Sequence, residues 1–540
     1  MPLVLQSTLD RQPRPFVPRD PTHVTFYTCG PTVYDDAHIG NFRSFLAADL
    51  LRRFLESPLC EVTLREGGVH AGPRTVTHVM NITDVGHMTE DDVADGAGED
   101  KMAAAGRRLA EAKKAGKLPA GVDVNPSDPY AVARFYEARF KEDAVRLGLK
   151  LAIEAQRDAT LMPRATENVA GMIEAIARLI ERRCAYIVGE PGARVVYFDV
   201  QAFPAYGRLS GNTLDNLREG EGGRVSAANQ AGKKHPADFL LWKEDPAHIM
   251  KWESPWGAGY PGWHIECTAM SIARLTSPPA AGEFIPTDNA YPGAVLDLHS
   301  GGEDNIFPHH ECEIAQSCCA YTASTLSGQF SRVWFHPRFL LVEGAKMSKS
   351  KGNFFTPREL FAKGVEPAAL RLELIRTHYR SNANFTMQGL TDGQRIIDRW
   401  RRVLDDFTAG DEPSPGAKAA LATFADAMHD DLNVAGAIAA VNSWLNTITK
   451  PTREDQAALR TIDAVLGVLG LERPKATTTG IGVYAPGVEP SPEIEALLAL
   501  RRDARAARDF ATSDAIRDQL AQRGLAIKDG PGGSVEVRRS

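Results

Sequence analysis

Four side chains in this sequence have the types and the local spacing that suit a bound metal ion. His309 and Glu313 follow a proline, lie four residues apart and would share one face of a helix that begins there. With Cys29 and Cys267 they offer two thiolates, one imidazole and one carboxylate, all of which zinc accepts as ligands. Burial of both cysteines as small apolar residues is the alternative. Cys312 is a competing ligand from a different face of the helix.

A basic loop at residues 346–350 is the second feature suited to chemistry. Its sequence is Lys-Met-Ser-Lys-Ser, so two ammonium groups lie on one short flexible segment. Such a loop can close over a triphosphate and offset negative charge that develops in a transition state. An ordinary solvated turn is the alternative, although the full pentapeptide is much rarer than one pair of lysines.

The turn between residues 27 and 41 must position these groups, because it joins a strand to a helix. His23–Thr28 is rich in β-branched and aromatic residues and predicts a short buried strand, and the apolar spacing predicts an amphipathic helix over residues 42–56. The free N–H groups and the positive dipole end of such a helix favour phosphate. The turn therefore combines a phosphate site with a thiol, Cys29, and an imidazole, His38.

Further strands and polar loops favour a parallel sheet with ligands at the carboxyl ends of its strands. Residues 60–65 and 75–82 are strand-like, so the order strand, helix, strand is that of a nucleotide-binding half. The second run ends in Asn-Ile-Thr-Asp, residues 81–84. Residues 297–304 combine glycines, which allow a ligand to approach closely, with carboxylates that can bind ribose hydroxyls. A simple turn is the alternative for that segment.

The composition limits the classes of protein to which the chain can belong. The chain has 540 residues, of which 43% are hydrophobic and 24% charged, as is typical of a globular enzyme with several domains. A net charge of −7 disfavours binding through a positive field over the whole surface but allows a local basic patch. We find no run of about 18 apolar residues and no signal peptide, so we expect no membrane association. Seven scattered cysteines predict a reducing cytoplasm without a disulfide framework.

The motifs His38-Ile-Gly-Asn41 and 346–350 together resemble the paired ATP motifs of the class I aminoacyl-tRNA synthetases. Three further stretches resemble the cysteinyl-tRNA synthetase family in particular, and the similarity extends over nearly the whole chain. They are Cys29-Gly-Pro-Thr-Val-Tyr34, Gly262-Trp-His-Ile-Glu-Cys267 and Phe307-Pro-His-His-Glu-Cys-Glu313. Pattern and resemblance together predict an α/β fold: a Rossmann-like parallel-sheet catalytic domain with an inserted lobe, then a helical bundle and a small C-terminal anticodon-binding module.

Changes of composition along the chain, read with that resemblance, predict the domain boundaries. We expect residues 85–127 to be an insertion with a solvated helix rather than core, and residues 276–293 to be a surface excursion. The expected divisions are the first half of the catalytic domain at 1–159, the inserted connective lobe at 160–258, the second catalytic half at 259–325, a stem-contact region with the basic loop at 326–391, the helical bundle at 392–471, a linker at 472–492 and the anticodon-binding module at 493–540.

The resemblance implies a zinc ion in the amino-acid pocket that binds the thiolate of a cysteine substrate. It assigns one Zn²⁺ per subunit to Cys29, Cys267, His309 and Glu313. Zinc favours a soft thiolate over the hydroxyl of serine, so such a pocket can discriminate without editing. The positions that match the amino-acid site are Gly30, Thr83, Trp263, His264 and His299, for each of which an ordinary structural role is the alternative.

The resemblance also implies the reaction. L-Cysteine is activated with ATP to cysteinyl-adenylate, and the ester then forms on the 3′-terminal ribose of tRNA(Cys). The implied catalytic residues are His38, Asn41, Lys346 and Lys349. The implied ATP-binding residues are Gly40, Asp304, Met347, Ser348, Lys349 and Ser350, with Mg²⁺ expected beside the ATP.

Asn41 departs from the family pattern, because the first ATP motif usually ends in a second histidine. The amide of Asn41 can still donate an N–H group, so we expect ATP binding to persist with an altered pH dependence.

The C-terminal module is expected to read the anticodon. Residues 493–522 predict helix, and basic side chains outnumber acidic ones from residue 501 to the end. By resemblance Arg505, Asp514 and Arg517 contact tRNA, and Phe510 could stack on an unpaired base. A solvated arginine-rich face with Phe510 in the core is the alternative.

Two other functions share part of this pattern. A ligase that joins cysteine to an amino-sugar has the zinc and ATP motifs but lacks an anticodon-reading module. A non-catalytic zinc- and RNA-binding paralogue would be expected to lose the loop at 346–350, which is intact here. We therefore expect the activity of the cysteinyl-tRNA synthetase family, in a monomer in the cytoplasm.

Overall fold

A four-stranded parallel sheet forms the centre of the catalytic region. The computed structural model of the chain describes residues 1–90, 97–116, 118, 123–212, 214, 232–280, 282–286, 294–323, 329–348, 352–406, 409–473, 477–485, 488–530 and 533–539. All three strand pairings of the sheet are parallel, which confirms the predicted α/β class. In spatial order the strands are Phe330–Phe335, Ala294–Ser300, His23–Thr28 and Thr75–Met80.

The direction of the strand order changes beside His23–Thr28. This first strand pairs on one side with the next sheet strand along the chain and on the other side with Ala294–Ser300. In open α/β sheets, ligands bind in the crevice at the carboxyl ends of two such strands. Phe26 and Tyr27 are fully buried and hold the strand in the core, so the residue that follows it, Cys29, lies at this crevice.

The helix after the first strand spans Ile39–Leu55 and so begins three residues earlier than the apolar spacing predicts. Phe42, Leu46 and Phe54 are fully buried on its apolar face. The strand-like run at residues 60–65 lies outside the central sheet, because Glu61–Thr63 pairs antiparallel with Val69–Ala71.

Other elements flank the sheet and form the inserted lobe. The helices up to residue 321 are Lys101–Lys114, Pro129–Arg146, Lys150–Glu154, Val169–Glu181, Trp263–Leu275 and Glu311–Tyr321. Two small antiparallel pairs are Val4–Gln6 with Pro13–Pro15 and Met88–Glu90 with Ala97–Asp100. The lobe has an antiparallel sheet of Ala185–Val188, Val195–Phe198, Phe239–Glu244 and Gly259–Pro261.

The helix Lys101–Lys114 packs on the core, contrary to the expectation of a solvated insertion. Met102, Ala105 and Leu109 are buried in the same apolar cluster as the central helix. The opposite face carries exposed arginine and lysine side chains, so the helix is amphipathic. Its apolar stripe is narrow and mostly alanine, which is why the sequence alone suggested a solvated helix.

The C-terminal half contains the predicted helical bundle. Its helices are Met387–Leu404, Pro415–His429, Val434–Leu445 and Arg453–Leu466. Before it lie the helices Pro357–Ala362 and Pro367–Ile375 and a sheet of Leu340–Val342, Ala345–Lys346 and Ala383–Phe385. No helix in the described part of the chain is both long and apolar enough to cross a lipid bilayer.

The last module contains a mixed four-stranded sheet and two helices. Two of its strands, Thr477–Thr479 and Gly482–Tyr484, lie in the segment that the sequence suggested was a linker. They were missed because each strand is only three residues long and lies among glycines and prolines. The other elements are the helices Pro492–Ala506 and Phe510–Gln522 and the strands Leu525–Asp529 and Val535–Arg539.

A buried ion-pair cluster joins the catalytic domain to the bundle. Asp49, in the central helix, accepts hydrogen bonds from Arg371 Nη2 at 2.6 Å and from Arg53 Nε at 2.7 Å. Arg371 is fully buried and also donates to the carbonyl oxygens of Leu466 at 2.7 Å and Leu147 at 3.0 Å. Burial opposes ionisation of Asp49, but Arg53 and Arg371 outweigh it and hold the pKa of the carboxyl well below its usual range.

Replacement of Asp49 by asparagine is therefore expected to destabilise the fold. It removes the carboxylate that is hydrogen-bonded to the buried charge of Arg371 and leaves only the more remote Asp463, and breaking a buried pair in this way costs about 3–5 kcal/mol. The measurement is the thermal melting of the purified variant, with Asp411→Asn as the control, since Asp411 pairs with Arg453 at the surface. Equal melting temperatures for the two variants would contradict the prediction.

Candidate metal centre and active site

The four predicted metal ligands meet at the carboxyl end of the central sheet. Cys29 directly follows the strand His23–Thr28, and its N–H group donates to Ser300 O at 2.9 Å. Cys267 lies on the helix Trp263–Leu275, while His309 and Glu313 lie at the start of the helical segment that ends at Tyr321. Residues far apart in the sequence therefore converge on one buried point.

Their donor atoms are close enough to share one ion. Cys29 Sγ lies 3.6 Å from Cys267 Sγ, 3.4 Å from His309 Nε2 and 3.2 Å from Glu313 Oε1. His309 Nε2 and Glu313 Oε1 are 3.0 Å apart. A tetrahedral zinc site with bonds of about 2.0–2.3 Å has edges of about 3.3–3.8 Å between its ligand atoms. Two of the four distances fall within this range and two lie just below it, and sulfur, nitrogen and oxygen are all donors that zinc accepts, so the cluster fits a zinc ion.

His310 also belongs to this cluster, although the sequence did not single it out. Its Nε2 lies 3.2 Å from Cys29 Sγ, and its donor atom groups with those of Cys29, His309 and Glu313 within 4.8 Å. The chain is kinked at Phe307, whose backbone is extended (φ −139°, ψ 133°), before the α-helix Glu311–Tyr321, and both imidazoles lie just after this kink at the cluster. The signal available in the sequence was the pair of adjacent histidines before Glu313.

Cys312 points away from the cluster, as its position on the helix predicts. Its Sγ lies 3.4 Å from the hydroxyl of Tyr206. Burial raises the pKa of this thiol well above its usual value. Cys312 is therefore a buried thiol next to a phenol rather than a further candidate ligand.

Aromatic and imidazole rings fix the orientation of the ligands. His264 Nδ1 lies 2.9 Å from His309 Nδ1, so that hydrogen bond leaves His309 Nε2 directed at the cluster. The ring of Trp263 stacks on that of His309 with centroids 4.3 Å apart. On the other side, His299 Nε2 lies 2.9 Å from Glu313 Oε2. Trp263, His264 and His299 thus all adjoin the cluster.

The charges of the cluster depend on these neighbours. Burial opposes ionisation of Glu313, but His299 and His309 outweigh it and hold the carboxyl pKa well below its usual range. Burial likewise opposes protonation of His309, but Glu313 and Cys267 raise its pKa to about 10. Burial raises the pKa of the Cys29 thiol, and Cys267 and Glu313 add to this effect. The carboxylate is therefore held ionised, in the form that binds a cation.

Gly30 and Thr83, the other two residues predicted to line the amino-acid site, lie beside Cys29. A Cβ atom on Gly30 would lie 1.9 Å from Asn81 O, so this position admits only glycine. Thr83 is buried and its N–H group donates to Pro31 O at 3.0 Å.

The first ATP motif forms the N-terminus of the helix Ile39–Leu55. His38 is the N-cap, and the Asn41 N–H group donates to His38 Nδ1 at 3.1 Å. In return, Asn41 Oδ1 accepts from the His38 N–H group at 3.0 Å. Because Nδ1 accepts a hydrogen bond, the proton of the neutral ring is on Nε2.

The second ATP motif lies against the first. A Cβ atom on Gly40 would be 2.6 Å from Met347 Cε, so the glycine allows this close contact. The backbone N–H of Ser348 donates to Asn353 Oδ1 at 2.9 Å, and Asn353 Nδ2 donates to Lys346 O at 3.2 Å. Lys349 and Ser350 lie outside the described residues. The two motifs nevertheless meet at Gly40 and Met347.

Asp304, the candidate for the ATP ribose, lies in the turn that follows the sheet strand Ala294–Ser300. The turn spans Glu303–Asn305, and Asp304 is exposed in it. Its carboxylate is therefore at the same edge of the sheet as the metal cluster.

The predicted tRNA contacts lie on the surface of the last module. Phe510 is 63% exposed at the start of the second helix, which rules out a core role for its ring. Arg517 and Asp514 are exposed and 3.4 Å apart, and Arg505 contacts Asp529. These contacts leave an aromatic ring and two arginines on an exposed surface.

Comparisons with known proteins identify the family to which the chain belongs. The family model described as tRNA synthetases class I (C) catalytic domain matches residues 15–395, and that described as Cysteinyl-tRNA ligase anticodon binding domain matches residues 488–538. Among solved structures, the LeuRS–tRNA–LeuAMS complex of Agrobacterium radiobacter has a TM-score of 0.51 at 11% identity and covers 97% of this chain and 96% of its own. That likeness shows a shared fold.

Curated relatives match from end to end. The chain is 38% identical to Cysteine–tRNA ligase of Salinibacter ruber, with 99% of this chain and 98% of the relative covered. It is 38% identical to Cysteine–tRNA ligase of Thermus thermophilus, with 98% of each covered, and 36% identical to that of Chlorobaculum tepidum, with 98% and 97% covered. The chain therefore belongs to the cysteine–tRNA ligase family of class I aminoacyl-tRNA synthetases.

Proposed function

We propose that this chain activates L-cysteine with ATP to cysteinyl-adenylate and transfers the cysteinyl group to tRNA(Cys). The observation that carries the proposal is a buried group of two thiols, an imidazole and a carboxylate at the carboxyl end of the central sheet. The family's anticodon-binding module in the same chain supports tRNA as the acceptor.

We infer that the cluster holds one zinc ion, with Cys29, Cys267, His309 and Glu313 as ligands. Zinc bound there would lower the pKa of a substrate thiol and favour sulfur over a hydroxyl oxygen. The chain itself keeps Glu313 ionised and excludes water by burial. The side of the pocket that receives cysteine is assigned to Gly30, Thr83, Trp263, His264 and His299.

We assign the phosphates of ATP to the N-terminus of the helix Ile39–Leu55. The carboxylate of cysteine attacks the α-phosphorus, the bond to the bridging oxygen breaks and pyrophosphate leaves. A carboxylate is already a nucleophile, so this step needs positioning and charge stabilisation rather than a general base. His38 would donate from Nε2–H, and Asn41 would donate from its Nδ2 group, since its Oδ1 is engaged at the cap.

We assign to the basic loop the role of offsetting the negative charge that develops on the phosphates. Lys346 and Lys349 would offset it, and Lys346 is exposed in the structure. Gly40, Met347, Ser348 and Ser350 would complete the nucleotide site, with Mg²⁺ on the phosphates and Asp304 on the ribose.

We assign recognition of the anticodon to the last module. Arg505, Asp514 and Arg517 would contact the nucleotides, and the exposed ring of Phe510 offers a surface on which a base can stack. We further propose that the protein acts as a monomer in the cytoplasm; all seven cysteines are buried and unpaired, which suits a reducing compartment.

Two assays test the proposed function. Cysteine-dependent exchange of pyrophosphate into ATP is expected, and its absence would contradict an activating enzyme and favour a non-catalytic binder. Charging of tRNA(Cys) with radiolabelled cysteine is expected as well. Exchange without charging would favour a ligase that uses an amino-sugar as acceptor.

Substitution of Cys267 by serine is expected to lower zinc content and cysteine activation together. Loss of an outer-shell contact typically costs 10–100-fold in metal affinity or activity, so loss of a ligand should cost at least about tenfold. Metal analysis and pyrophosphate exchange measure the two effects. Cys184→Ser, a buried thiol in the inserted lobe, is the matched control. Full exchange by metal-free Cys267→Ser protein would refute the ligand role.

Removal of residues 477–540 is expected to spare adenylate formation and to abolish most tRNA charging. The truncation begins at residue 477 because the strand Thr477–Thr479 belongs to the sheet of the last module. Exchange and charging rates, measured on the same preparation, separate the two steps. If both rates fell equally, the module would be needed for folding of the catalytic domain rather than for tRNA.

A further inference from the structure

Asn81 contacts both Gly30 and Thr83 of the proposed cysteine pocket, and the proposed function assigns no role to it. It is 1% exposed and directly follows the sheet strand Thr75–Met80. The neighbouring strand ends at Thr28, so Asn81 faces the turn that begins with Cys29. A buried amide in this position must find partners for both its oxygen and its nitrogen.

The oxygen of the Asn81 side chain holds the turn that carries the first metal ligand. Asn81 Oδ1 accepts a hydrogen bond from the Gly30 N–H group at 2.8 Å. A backbone N–H can only donate, so the atom that faces it must be the oxygen, and the orientation of the amide is fixed. The Asn81 carbonyl oxygen lies so close to Gly30 that no side chain fits there. The Cys29–Gly30 turn therefore rests directly on Asn81.

The nitrogen of the same side chain fixes a hydroxyl of the pocket. Asn81 Nδ2 donates to Thr83 Oγ1 at 3.0 Å, so the Thr83 hydroxyl must direct its own hydrogen elsewhere. The backbone around Thr83 is joined to the same turn, because Thr83 N–H donates to Pro31 O and Val33 N–H donates to Thr83 O, each at 3.0 Å. The Asn81 amide thus binds the turn through its oxygen and Thr83 through its nitrogen, beside two backbone hydrogen bonds that join the turn to Thr83.

We propose that Asn81 is a positioning residue that fixes Cys29 relative to Thr83 and so sets the geometry of the cysteine pocket. This inference rests on the proposed function, which assigns Thr83 to that pocket. The asparagine amide offers an acceptor and a donor on one planar group, and it does so without any change of protonation. Alanine would remove both hydrogen bonds, and aspartate would keep the acceptor for Gly30 but lose the donor to Thr83.

The test combines zinc retention against a chelator with the KM values for cysteine and ATP in pyrophosphate exchange. Asn81→Ala is expected to weaken zinc retention and to raise the KM for cysteine, each by roughly 10–100-fold, as for other contacts behind a metal site. The KM for ATP should change by less than about twofold, because no ATP contact is removed. Asn81→Asp should retain zinc almost normally while the KM for cysteine rises.

A double-mutant cycle with Thr83→Val separates positioning from general stability. If Asn81 acts on cysteine through the Thr83 hydroxyl, the effects of Asn81→Ala and Thr83→Val on the KM for cysteine will be clearly less than additive. Asn433→Ala is the matched control, since Asn433 Oδ1 accepts from Gly436 N–H at 3.0 Å in the helical bundle, and it should leave both KM values unchanged.

Two results would overturn the proposal. One is zinc retention and a cysteine KM in Asn81→Ala that match those of Asn433→Ala. The other is an equal rise of the KM for cysteine and for ATP together with a lower melting temperature, which would mean a purely structural role. Absence of cysteine-dependent exchange in the unmodified protein would refute the proposed function instead, and zinc retention would still report on the contact between Asn81 and Gly30.

Discussion

The burial of the Glu313 carboxylate is the constraint on which the rest of the site depends. An ionised carboxylate without compensation costs several kcal/mol or more when it is removed from water. Here His299 binds one oxygen and His309 the other, at 2.9 and 3.0 Å. Each ring is itself held by an indole, since His299 stacks on Trp334 and His309 stacks on Trp263. The aromatic packing therefore holds the two imidazoles that bind the Glu313 carboxylate in fixed positions.

The ligands of the cluster come from separate parts of the chain. His309, His310 and Glu313 share one five-residue stretch, whereas Cys29 and Cys267 lie far from it in the sequence. The parallel sheet brings these segments together, because it ends several strands at one edge and lets following helices converge there. Close approach of two strand ends then requires a residue without a side chain, and Gly30 against Asn81 meets that requirement.

Local pattern predicted the first strand, the central helix and the bundle, because each has strong apolar periodicity. It could not predict which distant segments meet, so the ligand set depended on resemblance to a family. His310 was missed because the kink at Phe307, after which both adjacent histidines reach one cluster, has no signature in the apolar periodicity. The strands Thr477–Thr479 and Gly482–Tyr484 were missed because each has only three residues. The second of them also pairs with Val535–Arg539, some fifty residues further on, which local pattern does not reveal.

The central helix, Ile39–Leu55, connects the proposed ATP site to the helical bundle. Its N-terminus carries the His38–Asn41 cap, and Asp49 lies about three turns further along. There Arg371 donates hydrogen bonds both to Asp49 and to the carbonyl oxygen of Leu466, the last residue of the last bundle helix. A buried arginine has five donors in a rigid plane, so it cannot follow one partner without disturbing the other. Any tilt of the bundle relative to the catalytic domain must therefore strain this contact or move the helix whose first residues are assigned to ATP.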